Sequence, residues 1–244
     1  MRPRVLITRE AERAAELAEL LNVQGIEAIV EPVTRTVFLS HDEDLPALEN
    51  FDWLIFTSVN GVKGFKNAFN GAAIPLTLRT AVVGPGTAEA AAQYVLKSDY
   101  VARRNDAVSL ANELLEEDPE LPHRAVLWPC AAHTGFELAS RLKSAGTNVV
   151  PWPVYLTEPV PQEDLLARLL RLWPWAIAVF AAPSAVASFA AAWPVPWDFP
   201  CVAIGQVTAK ALKKAGAQQI QVSPSPTAED LRDVILNIMN LRQA

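Results

Sequence analysis

The chain has 244 residues, of which 51% are apolar and 20% are charged, so each half is long enough to bury a core of its own. Its formal net charge of −6 argues against a surface that binds nucleic acid. No apolar run reaches the ~18 residues that a membrane-spanning helix needs, and the stretch at residues 5–7 is too short for a signal peptide. We therefore expect a cytoplasmic globular protein that binds neither nucleic acid nor membrane.

The first half alternates short β-branched runs with longer helical patterns, which is typical of parallel sheets covered by helices. In chain order the patterns predict a strand, a helix and three further strands, at residues 5–7, 11–21, 27–30, 52–58 and 81–83. Gly25 is expected to end the helix, because glycine readily adopts the left-handed conformation found at helix C-termini. Residues 84–87 form a glycine-containing turn that leads into an alanine-rich helix.

The second half repeats these patterns. A strand at 125–128, a helix at about 134–144 and a strand at 148–150 occur in the same order. Equivalent residues lie 121 positions apart at Leu6 and Leu127, Gly25 and Gly146, Pro32 and Pro153, and Gly84 and Gly205, and 124 apart at Phe56 and Phe180, and Phe65 and Phe189. A nearly constant offset over several separate segments indicates two copies of one α/β unit.

Two extended, proline-containing runs occupy equivalent places in the two copies, at residues 32–38 and 151–157. Proline is found on strand edges and in linkers rather than in central strands. We therefore expect these runs to connect two domains. Alternatively, each copy folds on its own, with a boundary near residues 118–122.

The cysteine and histidine side chains predict no special chemistry. Cys130 and Cys201 match no spaced motif, and we expect both to be free, buried thiols of a protein in a reducing compartment. The three histidines, His41, His123 and His133, are scattered along the chain, so no metal site is expected.

Small polar residues follow the predicted strands, where open parallel sheets bind their ligands. The candidate binding residues are Thr8, Arg9, Ser58, Asn60, Gly86, Thr87, Ser184, Gly205, Thr208 and Thr227. Backbone N–H groups and the positive end of the helix dipole at such turns suit carboxylates or phosphates. Each serine or threonine could instead serve only as a helix cap. The turn at 84–87 lacks the third glycine of a dinucleotide fingerprint and the lysine of a Walker loop, so a small anionic ligand is expected rather than a nucleotide.

Six motifs in order make the chain resemble the uroporphyrinogen-III synthase family. They are Leu6-Ile7-Thr8-Arg9, Ile55-Phe56-Thr57-Ser58-Val59-Asn60-Gly61-Val62, Val83-Gly84-Pro85-Gly86-Thr87-Ala88, Val154-Tyr155-Leu156-Thr157, Ala203-Ile204-Gly205-Gln206-Val207-Thr208-Ala209 and Thr227-Ala228-Glu229-Asp230-Leu231. The resemblance implies an α/β fold of two similar parallel-sheet domains. Residues 1–33 with 158–244 would form a discontinuous domain, 36–153 an inserted one, and a two-stranded β linker near 30–38 and 150–158 would join them.

The same resemblance implies an activity. The family cyclises the linear tetrapyrrole hydroxymethylbilane, with inversion of ring D and loss of water, to uroporphyrinogen III in porphyrin and heme biosynthesis. This is a cyclising hydro-lyase reaction that needs no cofactor and no metal. The resemblance further implies a monomer that makes transient contact with hydroxymethylbilane synthase. Tyr155, which matches the linker tyrosine of the family, is the candidate to assist departure of the substrate hydroxyl, although it could instead pack the linker.

Two departures from the family pattern leave other functions open. Ala182 stands where the family often has serine, and Cys130-Ala131 stands where an Arg-Gly pair usually follows the strand. Both changes remove hydrogen-bond donors. The alternatives are a non-catalytic two-domain binder of a tetrapyrrole or other polycarboxylate, and an α/β enzyme of different chemistry that uses a nucleotide.

Overall fold

A computed structural model describes residues 2–41, 45–70, 73–104, 106–193 and 196–241. Within these ranges the chain forms eleven β-strands and nine α-helices, arranged in two sheets in which parallel pairs predominate. The α/β fold class predicted from the alternating patterns is confirmed. None of the helices in these ranges is both long enough and apolar enough to span a membrane.

The elements follow one another in the alternating order that the sequence predicts. The strands are β1 (Arg4–Ile7), β2 (Glu27–Val30), β3 (Thr34–Phe38), β4 (Trp53–Phe56), β5 (Arg79–Val82), β6 (Tyr100–Val101), β7 (Ala125–Ala131), β8 (Asn148–Pro159), β9 (Ile177–Phe180), β10 (Cys201–Ala203) and β11 (Ile220–Val222). The helices are α1 (Ala11–Val23), α2 (Val59–Ala68), α3 (Pro85–Tyr94), α4 (Ala107–Glu117), α5 (Glu137–Ser144), α6 (Gln162–Leu172), α7 (Pro183–Ala192), α8 (Gln206–Lys214) and α9 (Ala228–Leu241).

The contacts within the chain divide it into two compact units. Unit 1 combines Met1–Arg35 with Glu158–Ala244, and unit 2 is the continuous segment Thr36–Thr157. The division does not fall near residues 118–122, because that stretch lies inside unit 2.

Unit 1 is built on a five-stranded sheet with the order β11-β10-β9-β1-β2. Its strands are parallel, and Val5 on β1 lies between Ala28 and Ile177 in the register. Both faces are covered, since Leu17 of α1 packs with α9 against one face and Phe189 of α7 packs with α6 and α8 against the other. The three central strands β1, β9 and β10 therefore carry runs of buried apolar residues, as buried parallel strands do.

Unit 2 is built on a six-stranded sheet with the order β3-β8-β7-β4-β5-β6. Helices α2 and α3 cover one face, where Phe65 is fully buried, and α4 and α5 cover the other, where Leu110 and Leu138 are fully buried. The strands β8, β7, β4, β5 and β6 are parallel to their neighbours. Each of their carboxyl ends therefore points to the same edge of the sheet.

The two sheets share one strand order, which confirms the internal repeat. The order β2-β1-β9-β10-β11 in unit 1 corresponds to β8-β7-β4-β5-β6 in unit 2. The chain halves are exchanged, however: β1 and β2 from the first copy pair with β9, β10 and β11 from the second. The sequence repeat and the compact unit are thus different divisions of the same chain.

A buried carboxylate in unit 2 connects residues from three parts of the chain. Asp118 is 6% exposed, accepts a hydrogen bond of 3.0 Å from the indole Nε1 of Trp53, and forms ion pairs with Arg79 and Arg124. The guanidinium of Arg79 also stacks over the Trp53 ring at 4.1 Å. Burial alone raises the pKa of Asp118, but the hydrogen bond from Trp53 and the two cationic neighbours outweigh it, so the pKa is lowered.

Both cysteines are free and buried, as predicted from their spacing. Burial raises the pKa of the Cys130 thiol to about 11 and that of the Cys201 thiol to about 12. Both thiols are therefore protonated at neutral pH and behave as small apolar groups of the core.

Candidate active site

The predicted binding residues of unit 1 collect at one edge of its sheet. Thr8 and Arg9 follow β1, Ser184 begins α7 after β9, and Gly205 precedes α8 after β10. The remaining two, Thr208 and Thr227, lie in the first turn of α8 and directly before α9. Since the strands are parallel, all six belong to the carboxyl-terminal edge.

The predicted residues of unit 2 collect in the same way. Ser58 and Asn60 follow β4, and Gly86 and Thr87 follow β5. Tyr155 lies on β8 opposite Ala131, the last residue of β7, so it too belongs to the carboxyl-terminal edge. Each unit therefore presents its own polar edge.

Several helices on these edges begin without a side-chain cap. The N-cap positions of α3, α7 and α8 are Gly84, Ala182 and Gly205, and none of these residues supplies a capping bond. The first N–H groups of a helix have no partner inside the helix, and they carry the positive end of its dipole. These three helix starts can therefore donate hydrogen bonds to carboxylates.

Thr87 and Thr208 are not helix caps. Each is the third residue of its helix, and each side chain is buried, with 7% and 3% of the residue exposed. The capping explanation for these two residues is therefore wrong. Ser184, the second residue of α7, is exposed and also lies inside the helix rather than at its cap.

Thr8 and Thr227 have structural partners. The Thr8 hydroxyl is buried and donates to the carbonyl oxygen of Val179 at 2.7 Å, which joins β1 to β9. The Thr227 hydroxyl oxygen accepts from the backbone N–H of Asp230 at 3.4 Å, and it lies 2.9 Å from the hydroxyl of Ser225. For Thr227 the cap explanation therefore accounts for its hydroxyl contacts.

Arg9 borders a cavity of about 160 Å³ that is also lined by Arg13, Thr227 and Glu229. The Nε atom of Arg9 is buried and has no hydrogen-bond partner in the described part of the chain. Burial lowers the pKa of Arg9, Arg13 lowers it further, and Glu10 opposes both. The Arg9 guanidinium, close to the start of α9, adds positive charge that favours a carboxylate at this cavity.

Ser58 and Tyr155 are in direct contact. The Ser58 Oγ lies 3.1 Å from the Tyr155 phenol oxygen and accepts from the backbone N–H of Gly61 at 3.0 Å, so it also caps α2. Asn60 donates from Nδ2 to the Thr36 hydroxyl on β3 at 3.1 Å. Tyr155 is half-buried and packs against the apolar cluster of unit 2.

Sequence reasoning missed two features of these edges. One is the Ser58–Tyr155 contact, which joins residues 97 positions apart. The other is a pair of exposed apolar side chains, Phe136 (62% exposed) and Val207 (71% exposed), at the starts of α5 and α8. The sequence signal for this feature is a large apolar residue directly before or within the first turn of a helix, at a position that does not face the core.

Neither edge offers a set of metal ligands. Among the described residues, no group of three or more histidine, cysteine, aspartate or glutamate side chains is placed to hold a metal ion. The predicted residues at the edges instead contribute hydroxyls, the Tyr155 phenol, the Arg9 guanidinium, the Asn60 amide and backbone N–H donors. Such a set can bind carboxylates and assist the departure of a hydroxyl group.

These features define an α/β protein with two mainly parallel sheets, each of which presents polar residues at its carboxyl-terminal edge. The sequence model described as uroporphyrinogen-III synthase HemD matches residues 15–233. The chain therefore belongs to the uroporphyrinogen-III synthase family, whose members act in tetrapyrrole biosynthesis as cyclising lyases.

Individual relatives agree with this family. The chain is 27% identical to the chloroplastic uroporphyrinogen-III synthase of Oryza sativa subsp. japonica, over 97% of the chain and 81% of that protein. It is 29% identical to the uroporphyrinogen-III synthase of Synechococcus elongatus, over 67% of the chain and 65% of that protein. The solved uroporphyrinogen-III synthetase of Helicobacter pylori 26695 has a TM-score of 0.67 at 18% identity, over 98% of this chain and 100% of that one, which shows a shared fold.

The function predicted from the sequence, uroporphyrinogen-III synthase in tetrapyrrole biosynthesis, is confirmed at the level of the family. A non-catalytic binder is not favoured. Ala182, one of the two departures that motivated that alternative, is the N-cap of α7 and makes no side-chain hydrogen bond there, so the backbone N–H groups of the first turn remain available as donors.

Proposed function

We propose that the chain itself converts hydroxymethylbilane to uroporphyrinogen III, with ring D inverted and water lost, without a cofactor. The observation that carries this proposal is the pair of polar edges, each with uncapped helix starts, one of which also holds the Tyr155 phenol. The substrate bears eight carboxylates, and backbone N–H groups with a guanidinium at Arg9 match that charge. Because the pyrrole itself can expel the hydroxyl to give an azafulvene, few strong catalytic groups are needed.

Backbone N–H groups and Arg9 would bind the substrate carboxylates. The N–H groups around Gly86, Thr87, Ser184, Gly205 and Thr208 would hold substrate carboxylates, and the buried Nε of Arg9 supports a further carboxylate site beside Thr227. Holding a flexible chain in a reactive conformation contributes several kcal/mol of barrier reduction.

Tyr155 would assist the departure of the hydroxyl group, by donating its proton or a hydrogen bond. Its half-buried position beside Ser58 supports this role, since the phenol oxygen already has a hydroxyl partner. Ser58 and Asn60 were predicted as substrate ligands. Their contacts with Tyr155 and Thr36 instead favour a supporting role for their side chains.

We extend the proposal to the organisation of the enzyme. The two compact units would be its two domains, and the division at residues 35/36 and 157/158 supports domain bounds close to those predicted. Two free, buried cysteines suit a protein of the reducing cytoplasm. A monomer that takes its substrate from hydroxymethylbilane synthase completes the proposal, and light scattering with and without that enzyme tests it.

A coupled assay tests the activity. Hydroxymethylbilane is generated in situ, the products are oxidised, and isomers I and III are separated. We expect isomer III to predominate in buffer with chelator and without added nucleotide or metal. Isomer I alone, which forms when hydroxymethylbilane cyclises without an enzyme, would contradict the proposed activity.

A further inference from the structure

Either hydroxyl can donate in the contact between Ser58 and Tyr155, and the proposed role of Tyr155 selects one direction. A serine hydroxyl has one proton to donate and two lone pairs that accept. One lone pair of Ser58 Oγ accepts from the Gly61 N–H at 3.0 Å. For the Tyr155 hydroxyl to donate its proton to a substrate, it cannot also donate to Ser58. The Ser58 hydroxyl must therefore donate, and the phenol oxygen must accept.

The result is a chain of donors that runs from the backbone to the reacting group. The Gly61 N–H donates to Ser58. With the direction that the role of Tyr155 requires, Ser58 donates to Tyr155, and the phenol proton points toward the substrate. Ser58 is also the N-cap of the ten-residue helix α2, so the positive end of the helix dipole stands behind this chain. Hydrogen bonds in series polarise one another, which strengthens the last donor.

The backbone of unit 2 is shaped to bring these two hydroxyls together. A Cβ at Gly61 would lie 2.8 Å from the carbonyl oxygen of Pro129 on β7, and one at Gly64 would lie 2.7 Å from the Val154 side chain on β8. Only glycine therefore allows α2 to approach both strands this closely.

A local irregularity in β8 completes the arrangement. The register with β7 shifts between Cys130 and Ala131, so that Pro153 pairs with Cys130 but Tyr155 pairs with Ala131. Shifts of this kind redirect a side chain relative to a regular strand. Tyr155 is thereby set beside the start of α2.

We infer that Ser58 is a positioning residue for Tyr155: it donates to the phenol oxygen and thereby directs the phenol proton to the substrate hydroxyl. In the step, the Tyr155 O–H bond and the substrate C–O bond break, the proton and the C–O electron pair leave as water, and a phenolate and an azafulvenium remain. The Ser58 proton stabilises the phenolate. The proton released when the macrocycle closes restores the phenol. This inference rests on the proposed synthase activity.

The test is a double-mutant cycle on the full-length chain with Ser58→Ala, Tyr155→Phe and the double variant. Ser58→Thr keeps the hydroxyl, and Ser58→Gly removes it with a capping loss of only a few tenths of a kcal/mol. Asp106→Ala is the matched control, because Asp106 caps α4 by accepting from the Ser109 N–H at 2.8 Å and has no link to Tyr155.

We expect Ser58→Ala and Ser58→Gly to lower kcat about tenfold with KM within about twofold, as loss of one hydrogen bond in the transition state would. Ser58→Thr should restore most of kcat, Asp106→Ala should not change kcat per folded molecule, and Ser58→Ala should cause no further loss in the Tyr155→Phe background. Effects that multiply, or a raised KM with unchanged kcat, would overturn the inference. A wild-type chain that makes no isomer III would refute the proposed function instead.

Discussion

Gly86 offers a substitution in which stability and activity should move in opposite directions. It is the exposed second residue of α3, and a Cβ added there meets no atom within 4 Å. Alanine is a better helix former than glycine, so Gly86→Ala should leave the free energy of unfolding unchanged or raise it by up to about 1 kcal/mol. We nevertheless expect a methyl group at this position to crowd a carboxylate bound at the N–H donors of the first turn.

The expected loss of activity follows from the hydrogen bond that the methyl group would obstruct. A hydrogen bond to a charged group contributes ~1.5–3 kcal/mol, which corresponds to a loss of roughly 10- to 150-fold in kcat/KM. Urea denaturation measures the stability, and the coupled isomer assay measures kcat/KM.

Two glycine variants serve as controls. Gly205→Ala, on the edge of unit 1, also meets nothing within 4 Å and should likewise lose activity. Its stability should fall slightly rather than rise, because Gly205 is the N-cap of α8 and alanine is a poorer N-cap than glycine. Gly61→Ala should instead lose stability, because its Cβ would lie 2.8 Å from a carbonyl oxygen. If Gly86→Ala is as active as the wild type, α3 does not hold the substrate and the reasoning on uncapped helix starts is wrong.

Three further outcomes are expected. Tyr155→Phe keeps the ring packed in the core and should slow ring closure by about 100-fold, the low end of general acid catalysis, with more isomer I; an unchanged rate beside a large loss in Tyr155→Ala would assign the ring to packing alone. Asp118→Asn should cost about 1–3 kcal/mol in urea denaturation, because the buried Trp53 donor and two guanidinium groups lose a charged acceptor. Since the pKa of Asp118 is lowered from 3.8, its ion pairs stabilise the wild type above that pH, and this advantage over Asp118→Asn should vanish as the pH falls through the lowered pKa. Cys130 and Cys201 should resist a thiol reagent at pH 8 in the folded protein and react fully in urea; rapid reaction of the native chain would contradict their burial.

The sequence predicts the regular part of the fold because that part depends on local patterns. The first helix, expected at 11–21, is observed at Ala11–Val23, and the strand expected at 27–30 is observed there. The helix expected at 134–144 begins only at Glu137, after Gly135, a residue of low helix propensity. The strand expected at 148–150 continues to Pro159, so that β8 includes the proline-containing run at 151–157 that was expected to connect two domains.

In the candidate site, too, the features that depend on local sequence patterns could be predicted, whereas those that depend on contacts between distant residues could not. The polar residues at the ends of strands could be predicted, because strand order brings the carboxyl ends of parallel strands to one edge. The contact between Ser58 and Tyr155 could not be predicted from the sequence. It depends on the register shift beside Ala131 and on the close approach of α2 to β8 at Gly64. A one-residue change of register is invisible in composition or periodicity.

The exchange of strands between the two copies also sets the order in which the chain can fold during synthesis. The strands β3 to β8 of unit 2 are complete once residue 159 has been made. In unit 1, by contrast, Thr8 at the end of β1 bonds to Val179, 171 residues further along the chain. Contacts this distant carry a large loop-closure entropy and form slowly. We therefore expect the amino-terminal βαβ segment to complete its sheet only after unit 2 has folded. Until then its apolar residues stay exposed, because the strands and helices that bury them lie in the last third of the chain.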